Sequence, residues 1–154
     1  MTPAINLAIK YQIDFEVHQY IHDVNAASYG IEAAEKLNIE ASRVFKTLVV
    51  VNEQNKLLVA IVPVEQQLNL KLFAKASKSK RVSMAEPKTV ERSTGYVLGG
   101  VSPLGQKRLL TTVIDQSAEQ HQTIYVSAGK RGLEIELAPK DLSQALNATF
   151  VTIT

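Results

Sequence analysis

The sequence contains no cysteine. That absence excludes disulfide bonds, thiolate metal sites and a cysteine nucleophile, and it is typical of a reducing compartment. A long apolar run is also missing: the first segment, MTPAINLAIKYQ, is too polar for a signal peptide, and no run approaches the ~18 residues that cross a membrane. We therefore expect a cytoplasmic protein that makes no membrane contact.

A strong excess of one charge is missing as well. The formal net charge is +2 over 154 residues, with 45% apolar and 21% charged residues, which is ordinary for a globular protein. Any nucleic-acid binding must therefore come from a local basic patch. The length suits one domain with its own core, and we expect residues 1–154 to form it.

The apolar pattern predicts an α+β fold, with about seven strands and four or five short helices in irregular order. We expect a single mixed, curved, barrel-like sheet with the helices packed outside. A hairpin accounts for two strongly apolar segments and the polar tip between them. The predicted strands are DFEVHQY, VFKTLVVVN, KLLVAIVPV, Val82–Met84, QTIYVSAG, GLEIELAP and TFVTIT. The predicted helices are a first one that Thr2 caps and that runs from Pro3 to about Tyr11, followed by IEAAEKLN, LNLKLFAKASKSK, PKTVERST and PKDLSQALN.

Lys46 is the residue that fits its surroundings least well, because it lies in FKTLVVV, which is otherwise typical of a buried strand. A buried lysine is paired, reaches water through its long stem, or has a lowered pKa. Two interpretations stand: the ammonium reaches solvent at the strand end, or it lines a pocket and meets a carbonyl, ribose or phosphate oxygen. Thr47 beside it adds a hydroxyl.

A glycine-rich segment, GYVLGGVSPLG, spans residues 95–105. Gly99 and Gly100 allow close backbone approach or a positive φ, so their N–H groups could bind an oxyanion, or the pair could form a bulge at a sheet corner. It is not a phosphate-binding P-loop, because Gln106 follows Gly105 where that motif has lysine.

The segment SAGKRGLEIE predicts a tight hairpin turn, which alternatively brings Ser127 and Glu134 to the edge of a site. The three histidines, His18, His22 and His121, have no metal-binding spacing, so we expect no metal. No serine occupies a nucleophile elbow, which disfavours a serine triad.

Five cations fall within eleven residues, with no acid between Glu65 and Glu86. A run of this kind is usually a solvated face, but here it is unbalanced and is a candidate surface for RNA phosphates. The five residues are Lys71, Lys75, Lys78, Lys80 and Arg81.

The segments MTPAINLAIK, FKTLVVV, STGYVLGGVSPLGQKR and IYVSAGKRGLEIELAP together resemble the bacterial YbaK (EbsC-type) family. These proteins are free-standing Cys-tRNA(Pro) deacylases related to the editing domain of prolyl-tRNA synthetases. The resemblance covers nearly the whole chain. It implies a pocket beside the lysine, aminoacyl-tRNA as substrate, no cofactor, and prolyl-tRNA synthetase as a possible partner.

The resemblance assigns the catalytic positions to Lys46 and to the backbone of Gly99 and Gly100. It assigns the substrate-binding positions to Tyr20, Tyr29, Gly30, Thr47, Ser102, Pro103, Ser127 and Glu134. Two of these differ from the residue most usual in the family, since Tyr29 replaces phenylalanine and Glu134 replaces aspartate. Ile31 stands where the family often has an acid.

The resemblance also implies that the substrate's own thiol attacks its ester carbonyl, which suits a chain with no evident nucleophile. On this interpretation Lys46 holds the ester or the terminal ribose, and the glycine amides meet the carbonyl oxygen. The expected function is clearance of mischarged Cys-tRNA(Pro), and possibly Cys-tRNA(Cys). The alternatives are a non-catalytic module that binds aminoacyl-tRNA or the synthetase, and a deacylase for another small amino acid such as alanine.

Overall fold

The computed structural model describes all 154 residues. The five α-helices are α1 (Pro3–Lys10), α2 (Tyr29–Lys36), α3 (Leu70–Ala76), α4 (Pro87–Thr94) and α5 (Pro139–Leu146). The eight strands are β1 (Phe15–Gln19), β2 (Phe45–Asn52), β3 (Leu57–Pro63), β4 (Val82–Met84), β5 (Thr111–Asp115), β6 (Ile124–Lys130), β7 (Leu133–Leu137) and β8 (Thr149–Val151). Two short 3₁₀ turns cover Ala41–Arg43 and Gln116–Gln120.

The strands form two sheets. One is antiparallel with the order β1-β7-β6, and the other is mixed with the order β4-β2-β3-β5-β8. In the mixed sheet β5 runs parallel to both β3 and β8, while β2 runs antiparallel to β3 and β4. The α+β class is therefore confirmed.

The main core lies between the two sheets. Phe45, Val49 and Ile61 of the mixed sheet meet Val126 and Ile135 of the antiparallel sheet, and α1 and α5 close the ends of this layer. A second cluster covers the other face of the mixed sheet. There Phe73 of α3 is fully buried against the strands. Each helix therefore buries one apolar side, as the short amphipathic patterns predicted.

Two expectations about the sheet were wrong. The strands do not close into one barrel-like sheet, because the only ladder contact between the two sheets is a single parallel bridge from Tyr125 of β6 to Val44, the residue just before β2. The strand count was also one short, since β5 was missed. Four of its five residues are buried, and a parallel strand covered on both faces shows no alternation of polar and apolar residues. No helix is long and apolar enough to span a membrane.

A glycine sets how closely α2 approaches β3. Ser28 caps the helix by accepting a hydrogen bond from the Ile31 N–H, and Gly30 lies in the first turn. A Cβ added at Gly30 would come within 2.2 Å of Val64 Cγ1. Valine is branched at Cβ and cannot turn its methyl group aside freely, so the contact requires glycine at this position.

We expect Gly30→Ala to destabilise the protein by about 1–3 kcal/mol, because the new methyl group forces α2 away from Val64. Urea unfolding at neutral pH measures the change. Adding Val64→Ala to the Gly30→Ala protein makes room for the methyl group. The double variant should therefore lose less than the two single losses together. Strictly additive losses would contradict the steric explanation.

Candidate active site

A cavity of about 290 Å³ lies where the first half of β2 faces α2 and the glycine-rich segment. Eight of the residues predicted for the site line it together: Tyr20, Tyr29, Gly30, Lys46, Thr47, Gly99, Ser127 and Glu134. They come from five separate parts of the chain, so the fold itself creates the cavity. Its other lining residues are mainly apolar, including Phe45, Leu48, Val64 and Leu98.

Lys46 is half-buried in this cavity and forms no ion pair. It shares a strand face with Leu48 and Val50, which pack against the second core cluster. Burial lowers the pKa of Lys46 below its usual value of 10.5. The ammonium therefore pays part of a desolvation cost without an internal counter-charge, which leaves it able to bind an oxygen of a guest molecule.

Glu134 is a second unpaired ionisable group in the same cavity. Its residue is only 7% exposed, and no ion pair or hydrogen bond reaches its carboxyl group. Burial raises the pKa of Glu134 to about 8. At neutral pH the carboxyl is therefore largely protonated and able to donate a hydrogen bond.

Ser127 and Tyr20 surround Glu134. Ser127 pairs directly with Glu134 across β6 and β7, so the two side chains share one sheet face. Its Oγ accepts a hydrogen bond from the Gly129 N–H at 3.1 Å, which leaves the hydroxyl proton for another acceptor. Burial, followed by the charges of Glu134 and Glu32, raises the pKa of Tyr20 to about 12. The cavity wall is thus rich in hydroxyl donors at neutral pH.

The edge of β2 beside the cavity is open. β4 pairs with β2 only over Val50–Asn52. The Val64 N–H donates to the Val44 carbonyl, and the Asn52 N–H donates to the Lys56 carbonyl. In an antiparallel ladder every second residue of a strand is hydrogen-bonded to the neighbouring strand, so the N–H and C=O of Thr47 point away from β3. The Thr47 hydroxyl is buried and has no hydrogen-bond partner. This residue therefore borders the cavity with unused polar groups.

The two adjacent glycines differ in what their N–H groups do. The Gly100 N–H donates to the Val97 carbonyl at 3.0 Å, and Gly100 is buried against the backbone of Lys130. Gly99 lines the cavity with φ +86°, and its N–H has no acceptor within the protein. Only Gly99 of the predicted pair therefore has an amide that can reach a carbonyl oxygen.

Ser102 and Pro103, which the resemblance placed at the substrate, lie outside the cavity lining. Both are buried, and the Ser102 Oγ accepts a hydrogen bond from the Leu104 N–H at 3.2 Å. The Tyr96 hydroxyl donates to the Leu104 carbonyl at 2.7 Å and fixes the same turn. We therefore assign these two residues to holding the glycine-rich segment against the core.

Arg131 joins the two rims of the cavity. Its guanidinium lies 4.5 Å from the centre of the Tyr29 ring and donates to the Leu98 carbonyl at 2.7 and 3.2 Å. Cation–π contacts of this kind are favourable even at partly exposed sites. The sequence had suggested only a turn at Lys130–Arg131, so this role was missed. The signal available in the sequence was Tyr29, an aromatic residue predicted at the site, together with the cation Arg131 in a predicted turn.

The five predicted RNA-binding cations are all exposed. Lys71, Lys75, Lys80 and Arg81 line a groove between α3 and β4, whereas Lys78 lies outside it. Glu53 is the acid at this place, and its Oε1 accepts hydrogen bonds from the backbone N–H groups of Lys80 and Arg81. One carboxylate does not balance the cations, so the groove is basic.

A histidine and two carboxylates lie close together away from the cavity. Ligand atoms of Glu16, His18 and Glu136 fall within 4.8 Å of one another. His18 Nε2 lies 2.9 Å from Glu136 Oε1, and the Arg43 guanidinium lies 3.5 Å from Glu136 Oε2. This arginine already supplies positive charge to the group, and we assign the cluster to an ion-pair network on the antiparallel sheet.

The family model for the aminoacyl-tRNA editing domain matches residues 24–145. The chain belongs to this family. The match includes the cavity residues from Tyr29 to Glu134 and leaves out Tyr20, and the predicted family resemblance is confirmed.

Relatives of this editing-domain chain extend the comparison. It is 39% identical over 153 residues to a protein of Enterococcus faecalis named "Putative Cys-tRNA(Pro)/Cys-tRNA(Cys) deacylase EbsC". The match covers 99% of this chain and 93% of the relative. It is 28% identical over 113 residues to the uncharacterized protein YwhH of Bacillus subtilis, covering 73% and 71%. A solved structure described as a putative trans-editing enzyme for prolyl tRNA synthetase has the same fold, with a TM-score of 0.87, 20% identity and coverage of 99% and 94%.

We expect Glu134→Gln to raise stability relative to the parent by an amount that grows with pH. A carboxyl whose pKa rises on folding makes its full contribution to protein stability below the unfolded pKa near 4.5. That contribution is lost as the pH rises toward the folded pKa of about 8. Glutamine cannot ionise, so the gain should be small at pH 4.5 and constant above pH 8.5. Urea unfolding at several pH values measures it, with Glu91→Gln on exposed α4 as control. A gain that does not vary with pH would contradict the raised pKa.

Proposed function

We propose that this protein is a trans-editing deacylase that clears mischarged Cys-tRNA(Pro), with Cys-tRNA(Cys) as a second candidate substrate. The observation that carries the proposal is an unpaired, half-buried Lys46 in a cavity that also holds free hydroxyl and amide donors. Membership of the editing-domain family and the name of the 39%-identical relative support the same reaction. We extend the editing domain to the whole chain, residues 1–154, because β1 and α1 complete the sheet and core around the cavity.

The need for such an enzyme follows from the size of the amino acids. Cysteine and proline differ little in volume, and a binding pocket gains only about 1–3 kcal/mol from such a difference. A synthetase therefore charges some tRNA wrongly, and a second site that hydrolyses the wrong product restores accuracy. A partnership with prolyl-tRNA synthetase would bring that second site close to the newly charged tRNA.

In the proposed reaction the substrate supplies the nucleophile. The cysteinyl sulfur attacks its own ester carbonyl, a sulfur–carbon bond forms, and the bond from the carbonyl carbon to the tRNA 3′-oxygen breaks. The thiol proton ends on that oxygen, so the products are a cyclic thioester and free tRNA. The protein contributes orientation and charge stabilisation, which can together supply several kcal/mol.

Each group in the cavity has a part in this proposal. The Lys46 ammonium holds the ester or the terminal ribose, and the Gly99 N–H meets the carbonyl oxygen as negative charge develops. The first-turn N–H of Gly30 has no partner within α2 and adds a second donor. Protonated Glu134 and the Ser127 hydroxyl hold the amino group or the leaving 3′-oxygen.

The basic groove is proposed to hold the acceptor arm of the tRNA. Val82 in the groove pairs with Asn52, six residues along β2 from Lys46. Extended strand rises by about 3.3 Å per residue, so the groove lies about 20 Å from the ammonium. At that distance the cations can neutralise phosphates several nucleotides from the reacting end.

We expect Lys46→Ala to reduce deacylation of Cys-tRNA(Pro) at least about 100-fold, because it removes a charge that interacts with the reacting end. Single-turnover release of cysteine from the charged tRNA measures the rate. The matched control is Lys140→Ala, an exposed lysine on α5. A Lys46→Ala rate within a few-fold of the parent would refute the assignment.

The substrate panel for this experiment separates the possible functions. Cys-, Ala- and Pro-tRNA(Pro) are compared with tRNA carrying 2-aminobutyrate, in which a methyl group of similar size replaces the thiol. Cleavage of the cysteine ester alone supports the thiol mechanism. Equal cleavage of the 2-aminobutyrate ester would overturn that mechanism and keep the deacylase. No cleavage of any ester would favour a binding module.

We expect replacement of Lys71, Lys75, Lys80 and Arg81 by alanine to weaken tRNA binding and flatten its salt dependence. Each lost phosphate contact lowers the slope of log K against log salt by about 0.7–0.9. Binding of uncharged tRNA(Pro) at four salt concentrations measures the slope. The control variant replaces four exposed cations elsewhere by alanine and so has the same net charge as the groove variant. Its positions are Lys10, Lys88, Arg108 and Lys140. Equal slopes in both variants would remove the groove from the proposal.

A further inference from the structure

Glu32 is a buried acid that the proposed reaction does not use. It lies in the first turn of α2, does not line the cavity, and is 5% exposed. Burial alone raises its pKa, but hydrogen bonds from the Asp23 N–H, His22 and Lys36 outweigh this effect and lower the pKa of Glu32 to about 2. A buried, fully ionised carboxylate of this kind requires several partners.

All of these partners except Lys36 come from one segment, residues 21–23, which connects β1 to α2. Glu32 Oε1 lies 2.7 Å from His22 Nδ1, and Oε2 accepts the Asp23 N–H at 2.6 Å. Because the carboxylate can only accept, the His22 nitrogen is the donor. Lys36, four residues along the helix, lies 3.1 Å from Oε2 and also donates to the Ile21 carbonyl. The Glu32 carboxylate thus binds residues 22 and 23 directly, and it holds the Lys36 ammonium that binds residue 21.

The fixed segment holds the two aromatic walls of the cavity. Tyr20 directly precedes it, and the Lys36 ammonium lies 5.9 Å from the centre of the Tyr20 ring. The His22 ring lies 5.6 Å from the Tyr29 ring at an angle of 46°. Glu32 therefore contacts a neighbour of each wall, although it touches neither wall itself.

The outward side of the segment shows that core packing does not hold it. Ile21 is 88% exposed and Val24 is 86% exposed, so neither apolar side chain ties the segment to the core. The polar contacts to Glu32 and Lys36 therefore constrain residues 21–23, together with the close approach of Gly132 to His22 and the hydrogen bond from the Tyr20 N–H to the Gly132 carbonyl. We expect the loss of the contacts to Glu32 to loosen the segment and to shift the Tyr20 and Tyr29 rings relative to Lys46.

We infer that Glu32 is a positioning residue, which fixes residues 21–23 and so sets the separation of the Tyr20 and Tyr29 walls around the aminoacyl group. The inference rests on the proposed function for the identity of that group. Displaced walls still admit a substrate but fit it less well. Affinity and discrimination between cysteine and proline should therefore fall more than the rate of the chemical step.

The test compares Glu32→Gln and Glu32→Asp with Glu35→Gln, which changes an exposed acid on the same helix that forms no ion pair. Three quantities are measured well below the unfolding temperature: amide exchange of residues 20–29, KM and kcat for Cys- and Pro-tRNA(Pro), and the Kd of a non-hydrolysable amide analogue of cysteinyl-adenosine. We expect Glu32→Gln to speed exchange at Asp23, and to raise KM and Kd about tenfold. The change in kcat should be within about threefold.

Glu32→Asp should recover part of the affinity, because it keeps the charge and loses one methylene. Faster exchange without a change in KM, Kd or discrimination would overturn the inference and leave Glu32 a purely structural residue. If Glu32→Gln does not fold, His22→Phe is measured in its place, since it keeps the ring beside Tyr29 and removes the donor. If the parent protein binds the analogue but releases no cysteine from Cys-tRNA(Pro), the proposed function is wrong. The comparison of Kd values then still decides the role of Glu32. A parent that does not bind the analogue overturns both.

Discussion

The incomplete pairing of β2 is the constraint on which the rest of the site depends. β3 covers one edge along its whole length, but β4 reaches only Val50–Asn52 on the other edge. On that second edge the first half of β2 has no ladder partner. Only Val44, just before the strand, forms a bridge there, to Tyr125. An unpaired edge normally invites association with other chains. Here α2 and the glycine-rich segment cover it and leave the cavity between them.

That position explains how two ionisable groups can share a cavity without forming an ion pair. Lys46 comes from the mixed sheet and Glu134 from the central strand of the antiparallel sheet. The two side chains therefore reach the same cavity from different sheets. A direct pair would satisfy both charges and leave nothing for a ligand. Instead Lys46 has no internal counter-charge, and burial, which raises the pKa of Glu134 to about 8, leaves that carboxyl largely neutral at pH 7.

The sequence indicated the chemistry of the site better than its architecture. Lys46 was recognisable because a charge in an apolar strand demands an explanation. The helix starts followed from signals such as the N-cap Thr2 of α1 and the first-turn proline Pro87 of α4. The strand β5 was not recognisable, since a strand buried on both faces has no two-residue period. The division into two sheets depends on which strands pair, and a single bridge between Val44 and Tyr125 has no signature in the pattern.

Other parts of the site were hidden for related reasons. Gly99 and Gly100 are adjacent and chemically identical, and only the folded loop distinguishes them, through the hydrogen bond of Gly100 to Val97 and the exposure of Gly99 to the cavity. Glu32 looks like any acid in the first turn of a helix, where it is usually solvated. Its burial follows from the path of residues 21–23, which is set by tertiary contacts.

The bridge that Arg131 makes between Tyr29 and the Leu98 carbonyl has a consequence for access. Three distant segments of the chain are joined at the mouth, so none of them can swing outward without breaking contacts in the other two. The contacts of Arg131 thus hold the width of the cavity entrance constant. We therefore expect the entrance to exclude bulky side chains before any of them reaches Lys46.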